Sequence, residues 1–382
     1  MKIVCATNMP YALEAFCTLG DAVVLEGRHI KPADVKEAGI LALRSTTVVN
    51  RALLEGSHVR FVGTATIGTD HFDIPYLEQA GIRWCFAPGC NANSVSEYLT
   101  AALLVLGGRH QFSLAGKTIG VVGVGNVGSR VVKKAEALGM RVLKNDPPLQ
   151  RATGDKSFVS LAQIQAEADI VTFHVPLTKT GDDATFHMAD DTFFKGLRRP
   201  IIFIDAARGP VVDSPALLRA LDAGIVRHTV LDTWEGEPRF NRTLLERVDL
   251  GTPHIAGHSF EGKVAGTMMV YEEACRFLGV NPSFSPEGLL PPALVPELTV
   301  RAAGRPDEDV LREVVKPVYG VEVDDARMRT IDSEPARQAA EFDRQRKDYP
   351  VRREFRYTRV KAAGAGVSLL AKLEGLGFQV KG

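Results

Sequence analysis

The 382-residue sequence predicts an α/β protein: two doubly wound lobes on parallel sheets with a cleft between them, and a smaller α/β domain at the C-terminus. Three observations carry this prediction. Short β-type apolar runs alternate with stretches of helical spacing from Lys2 to Leu278, the order that builds parallel sheets. Lys117 to Asp146 compresses strand, glycine turn, helix, strand and acid into one uninterrupted unit. Asn281 to Pro296 then places five prolines in a stretch without periodicity, and the residues beyond it change character.

The first lobe opens with a strand-like run at 2–6. Pro10 starts a helix that Gly20 closes, and 22–25, 40–44, 59–62 and 82–87 read as further strands. Asn50 caps a short helix, and 74–80 is helical up to Gly81. Arg44 and Ser45 end one of these strands, and Thr66 lies in the polar glycine turn 63–70 after another. Ser94 reads as the cap of a helix to Gly107, whose apolar side (Tyr98, Leu99, Ala102, Leu103, Leu106) requires burial.

In the second lobe, 160–168 is helical and 169–174 is a strand, with Val175 opening the next turn. A strand at 200–204 leads into Asp205-Ala206-Ala207-Arg208, and Ser214 reads as the cap of the following helix. A strand at 228–231 leads into Asp232 and, five residues on, Glu237. A short helix at 243–248 and a strand at 248–251 lead into the loop 252–257, which carries His254. Helix 260–278 returns to the first lobe. The first lobe is therefore discontinuous, 1–95 and 256–280, and encloses a second lobe at 96–255. A linker, 281–296, precedes the C-terminal domain, 297–382, with a strand at 297–301 and helices at 306–315 and 367–376.

The stretch 117–146 is a Rossmann dinucleotide unit. Gly123 permits the tight turn, Gly125 leaves the backbone open to a pyrophosphate, and Gly128 lets helix and strand approach. The free N–H groups and positive dipole end at the helix start, around Asn126 and Val127, attract phosphate. Asp146 follows about 20 residues on, where a carboxylate accepts ribose hydroxyls and repels a 2′-phosphate. The cofactor expected is NAD rather than NADP.

Composition excludes several classes. Lys+Arg and Asp+Glu are equal at 46 each, so no global charge favours nucleic acid or a membrane surface. No apolar run reaches the length of a membrane span. The five cysteines form no Cys-x-x-Cys pair and have no histidine cluster beside them, so no metal is expected. They read as free thiols of a reducing cytoplasm, and the N-terminus lacks the apolar core of a signal peptide.

Arg208, Glu237 and His254 each follow a strand of the nucleotide lobe, where ligands collect in an open parallel sheet. The trio suits oxidation of a 2-hydroxy acid. An imidazole, which titrates near neutrality, takes the hydroxyl proton. A carboxylate on its other nitrogen fixes the tautomer and favours the imidazolium that forms. A guanidinium clamps the substrate carboxylate with two parallel bonds.

At these residues the sequence resembles a known family. Arg208-Gly-Pro-Val-Val-Asp213, Asp232-Thr-Trp-Glu-Gly-Glu237 and Thr252-Pro-His-Ile-Ala-Gly257 resemble the signatures of the D-isomer-specific 2-hydroxyacid dehydrogenases, as does Asn93-Ser-Val-Ser-Glu97. Asn8-Met-Pro-Tyr11, Phe61 to Thr66, Pro88-Gly-Cys-Asn-Ala92, His254 to Lys263 and Arg352-Arg-Glu354 resemble one subgroup of it, and the resemblance covers nearly the whole chain. It implies catalysis by Arg208, Glu237 and His254. It implies cofactor contacts at Asn126, Val127, Asp146, Val175, Ala206, Ala207, Arg208, Asp232 and Gly257. It implies substrate contacts at Ser45 and Thr66. His258 stands where the subgroup often has Tyr, and its imidazole can still donate a hydrogen bond to substrate. Val175 stands where Thr is common, which leaves main-chain contacts there. The substrate implied is a phosphorylated hydroxy acid, 4-phospho-D-erythronate, oxidised at C2 on the way to pyridoxal 5′-phosphate. The C-terminal segment resembles the subgroup's dimerisation domain, which implies a homodimer.

Arg44, with Ser45 and Thr66, offers charge and hydroxyls for the phosphate. The basic stretch 344–359 admits three readings: a solvated or dimer-contact face, a nucleic-acid patch diluted by its own acids, or a reach of Arg346 or Lys347 to substrate phosphate. Two rival functions use the same scaffold: another family member, such as one acting on 3-phosphoglycerate, and a non-enzymatic NAD sensor.

Overall fold

A computed structural model describes residues 1–381. The chain forms two compact units: Met1–Ala92 with Ser259–Pro292, and Asn93–His258 with the chain from Ala293 on.

The first unit holds a five-stranded parallel sheet of β1 (Lys2–Ala6), β2 (Asp21–Leu25), β3 (Ala38–Leu43), β4 (Phe61–Thr64) and β5 (Arg83–Phe86). Its order is β2-β1-β3-β4-β5. The second unit holds six parallel strands: β6 (Thr118–Val122), β7 (Arg141–Asn145), β8 (Ile170–Phe173), β9 (Ile201–Asp205), β10 (Val226–Leu231) and β11 (Leu250–Gly251). Their order is β11-β10-β9-β8-β6-β7. Counted from its own first strand, each sheet starts 2-1-3-4-5, so each has a switch point beside its first strand, where such sheets take ligands. A three-stranded parallel sheet, β12 (Glu297–Arg301), β13 (Arg359–Ala363) and β14 (Gln379–Lys381), belongs to the second unit.

Alternation along the strands builds the cores. In the first sheet, Ile3, Cys5, Ile40 and Ala42 face the Phe260–Leu278 helix, and Val4, Leu41, Leu43 and Val62 face the other side. In the second, Ile119, Val121, Ile170 and Ile204 face the helices Ala92–Arg109 and Asn126–Ala137, in a core that continues into Val300, Val360 and Leu373. Val122, Val171, Phe173 and Phe203 line the opposite core. The C-terminal segment therefore shares one apolar core with the nucleotide sheet.

A buried polar network reinforces that join. Arg352 bonds Glu97 at 3.1 Å and lies 4.0 Å over the Tyr319 ring. Glu354 accepts from Asn93 at 2.8 Å, and Glu97 from the Phe355 N–H at 2.9 Å. Burial pushes the Glu97 carboxyl up to about 7 against the pull of Arg352. Arg352 and Arg353 of the basic stretch are thus buried rather than solvated.

Several expected helix starts shift. Ser94 lies inside the helix Ala92–Arg109, and Asp213, not Ser214, caps Ser214–Asp222 through the Ala216 N–H. Helices Pro147–Thr153, Val321–Arg329 and Pro335–Lys347 and strand β13 had no sequence expectation.

Candidate active site

The glycine turn sits at the carboxyl end of β6, beside the switch point with β8. Gly123 has φ 86°, and a Cβ there would lie 2.8 Å from the His174 carbonyl, so only glycine allows this turn. A Cβ on Gly125 would meet nothing within 4 Å, which leaves the approach to the helix start open. Asn126 is exposed and Val127 half-buried at that start. Asp146 caps the next helix through the Leu149 N–H at 2.9 Å, and its other oxygen takes the Val124 N–H at 2.8 Å. The acid thus fastens the glycine turn, and its carboxylate retains lone pairs for further donors. Val175 packs against the same turn.

Three further loops leave the carboxyl ends of β9, β10 and β11. After β9 come Asp205, Ala206, Ala207 and Arg208. Asp205 is fully buried, accepts from the Thr233 hydroxyl, and is pushed up to about 7 by burial. Arg208 is half-buried, and its guanidinium donates to the Ala207 carbonyl at 2.7 Å.

After β10, Asp232 is buried, and its carboxylate holds the following loop. It accepts the Thr252 hydroxyl at 2.7 Å, the Ile255 N–H at 2.8 Å and the Ala256 N–H at 2.9 Å. Its own carbonyl takes the His254 N–H at 2.7 Å. His254 sits in the left-handed region, φ 54°, a conformation uncommon outside glycine and held here by those bonds. Its Nδ1 meets Glu237 Oε1 at 2.5 Å, and Glu237 Oε2 accepts the Trp234 N–H at 3.1 Å. Burial alone would raise the Glu237 carboxyl, but the His254 imidazole, and then Arg346, outweigh it and hold the group below the usual range. Arg346 comes from the helix Pro335–Lys347, whose field the sequence tied to the site only as one of three readings. Gly257 and His258 are half-buried at the end of the loop, with His258 edge-on to Tyr349 at 5.6 Å. The structure thus brings Glu237 and His254 into contact and puts Arg208 on the neighbouring loop.

In the first unit, Arg44, Ser45 and Thr66 follow β3 and β4. Arg44 donates to the Ala65 carbonyl at 2.9 Å, Ser45 is exposed, and the Thr66 hydroxyl bonds Thr64 at 2.7 Å and the Gly68 carbonyl at 2.9 Å. Sequence reasoning missed Lys263, on the Phe260–Leu278 helix. Burial, and then the Arg44 charge, push its ammonium down to about 8. Burial likewise pushes the nearby His71 down to about 4, keeping it neutral. Arg44 and Lys263 thus place two positive charges near one another on partly buried ground. The sequence signal is a cation in the first turn of the helix that follows the His254 loop.

Comparison with known proteins follows the same lines. Residues 106–256 match the family described as D-isomer specific 2-hydroxyacid dehydrogenase, NAD binding domain, and residues 289–377 match a domain of unknown function, DUF3410. The chain is 50% identical over 355 residues to the erythronate-4-phosphate dehydrogenase of Edwardsiella ictaluri, covering 93% of both chains. It is 46% identical over 374 residues to that of Cronobacter sakazakii, covering 98% of this chain and 97% of the relative. Among solved structures, a Thermus thermophilus protein superposes with TM-score 0.63 at 24% identity, over 74% of this chain and 98% of its own. NAD-bound 3-phosphoglycerate dehydrogenase of Entamoeba histolytica superposes with TM-score 0.62 at 24% identity, over 73% and 95%; both likenesses show the fold.

Proposed function

Because the chain belongs to the D-isomer-specific 2-hydroxyacid dehydrogenase family, we propose that it oxidises the C2 hydroxyl of 4-phospho-D-erythronate to 2-oxo-3-hydroxy-4-phosphobutanoate, with NAD as the cofactor, in pyridoxal 5′-phosphate synthesis. The single observation that carries the mechanism is the 2.5 Å contact between Glu237 and His254.

The residues present fit NAD. The space at Gly125 and the open helix start at Asn126 and Val127 accept a pyrophosphate, and Asp146 suits ribose hydroxyls. Val175, Ala206, Ala207, Arg208 and Gly257 would complete the contacts, with Asp232 acting through the loop it holds. When bound, NAD supplies the hydride acceptor.

The chain's own groups do the rest. His254 Nδ1 is engaged by Glu237, which leaves Nε2 to take the hydroxyl proton. The Glu237 carboxylate, held ionised by its surroundings, stabilises the imidazolium. Arg208 clamps the substrate carboxylate and polarises the carbonyl on reversal. Arg44 and Lys263 hold the phosphate, with Ser45 and Thr66 as hydroxyl donors and His258 as a further donor to substrate.

The residence proposed is cytoplasmic, and the free state of all five cysteines supports it. No described helix is long and apolar enough to cross a membrane. A homodimer formed through the C-terminal segment belongs to the same proposal, supported by exposed Val323, Val351 and Val367. Light scattering at a dimer mass checks it.

The deciding experiment is NADH formation with purified protein on phosphorylated and unphosphorylated four-carbon 2-hydroxy acids and on 3-phosphoglycerate, each with NAD and NADP. Turnover confined to the phosphorylated four-carbon acid with NAD supports the reading. Preference for 3-phosphoglycerate, or no turnover with any acid, overturns it.

A further inference from the structure

We propose that His110, His228 and Asp249 form a binding site for a divalent transition-metal ion of the zinc class, separate from the dehydrogenase centre. The three residues come from distant parts of the second unit. His110 follows the helix Ala92–Arg109, His228 lies near the start of β10, and Asp249 immediately precedes β11. The site therefore sits at the amino ends of the strands. Asp232, at the other end of β10, is four residues away, about 13 Å of strand.

The geometry is that of convergent ligands. His110 Nε2 is 2.6 Å and His228 Nδ1 3.3 Å from the same oxygen, Asp249 Oδ1. The two rings stack with centroids 3.6 Å apart, so both turn a nitrogen to one point. The three ligand atoms lie within 4.8 Å of one another. Tetrahedral zinc bonded at about 2.1 Å to nitrogen and oxygen sets its ligand atoms about 3.4 Å apart, a spacing that small side-chain rotations reach. Two imidazoles and one carboxylate suit zinc, cobalt or nickel rather than calcium or magnesium.

The surroundings hold the carboxylate as metal sites do. Asp249 Oδ2 accepts the Thr229 N–H at 2.9 Å, which turns Oδ1 toward the histidines. The Asp249 carbonyl takes Arg109 at 2.8 Å, and Glu322 pairs with that guanidinium at 3.3 Å, offsetting its charge. Phe112 stacks 6.4 Å from His228 and walls one side. The three side chains are only partly exposed, 28%, 23% and 15%, so water completes the coordination from the open side. A bound ion would tie the end of the long helix to β10 and β11.

The test uses tag-free full-length protein with Zn²⁺ and Co²⁺ alone. Calorimetry should show one zinc per chain, and cobalt should give the visible absorption of a four- or five-coordinate site. His110→Gln and His228→Gln each keep a donor to the carboxylate and lose the imidazole, so the fold survives in both. Each should weaken zinc binding about 10- to 100-fold or more and remove the cobalt bands. Zinc should also raise the melting temperature of the wild type and not of the double variant. The same zinc affinity in the double variant, or no zinc bound by the wild type, overturns the proposal and leaves a hydrogen-bonded cluster.

Discussion

Replacing Glu237 with Gln isolates what the carboxylate contributes to proton transfer. The amide is isosteric. Its single oxygen can still accept from His254 Nδ1–H, so the ring stays in place, while the Trp234 N–H loses its acceptor because the amide NH2 group can only donate. What disappears is the negative charge beside the imidazolium formed as the hydroxyl proton is taken. Two unit charges about 4 Å apart interact by about 4 kcal/mol at an effective dielectric of about 20. Both side chains are about a quarter exposed, 28% and 25%, and solvent screening reduces that to about 2 kcal/mol at the low end. The chemical step should therefore slow by about 30- to 1000-fold. The assay is the single-turnover rate of NADH formation by stopped-flow absorbance, which separates chemistry from product release. NAD affinity, followed by protein fluorescence, should stay within about twofold, since the amide keeps the ring in place. A single-turnover rate within about threefold of wild type would refute the charge argument and reduce Glu237 to a geometric spacer.

Lys263→Met should raise KM for the phosphorylated substrate about tenfold or more while leaving kcat nearly unchanged. Because burial and Arg44 put this ammonium at about 8, kcat/KM for the phosphorylated acid should fall as pH rises through about 8, and the variant should lack that limb. Arg352→Met leaves Glu97 buried without its cation and should cost about 3–5 kcal/mol in urea unfolding. A carboxyl whose folded value, about 7, exceeds its unfolded one takes up its proton more readily when folded. The deficit should therefore grow as pH rises through about 7 and shrink below it; a pH-independent deficit would contradict this. Gly209→Ala puts a Cβ 2.0 Å from the Trp234 carbonyl carbon, so the loops of Arg208 and Glu237 must separate. Turnover should fall at least about tenfold and stability by about 1–3 kcal/mol, read from kinetics and melting together.

The sheets were legible because their strands are short apolar runs, as at 119–122 ahead of Gly123, or runs that alternate apolar with polar, as at 297–301, where Leu298 and Val300 alternate with charged or polar neighbours. The Phe260–Leu278 and Val367–Leu376 helices were equally plain from their apolar spacing. Pro335–Lys347 was not, because its many charges hide the two positions, Gln338 and Phe342, that are buried. Caps failed where two candidates adjoin: in Asp213-Ser214-Pro215 either residue can accept the bond, and the proline at N1 or N2 suits both. Among the site residues, Glu237 and His254 were readable because each follows a strand of a recognisable sheet. Arg352 was misread because a run of arginines looks solvated until its partner, Glu97, is found 255 residues away. The histidines of the proposed metal site are hidden for the same reason: 118 residues separate His110 from His228, and no local spacing announces them.

Asp232 shows why residue type alone underdetermines role. An acid at the carboxyl end of a strand in a nucleotide sheet invites a reading as a cofactor ligand, as Asp146 does. The two carboxylates nevertheless meet different donors. Asp146 bonds two main-chain N–H groups and stays half-exposed, so it can serve a ligand as well. Asp232 is buried beneath the loop 252–257 and takes three donors from it, close to the capacity of a carboxylate without water. Burial raises its proton affinity, and the His254 charge, the Thr252 hydroxyl and the loop amides oppose that rise. Its hold on the loop keeps His254 at φ 54°, where the Nδ1 reaches Glu237. The conformation that aims the imidazole is therefore maintained from below by an acid that need never touch substrate, and the chemistry of the loop depends on a residue 22 positions earlier in the chain.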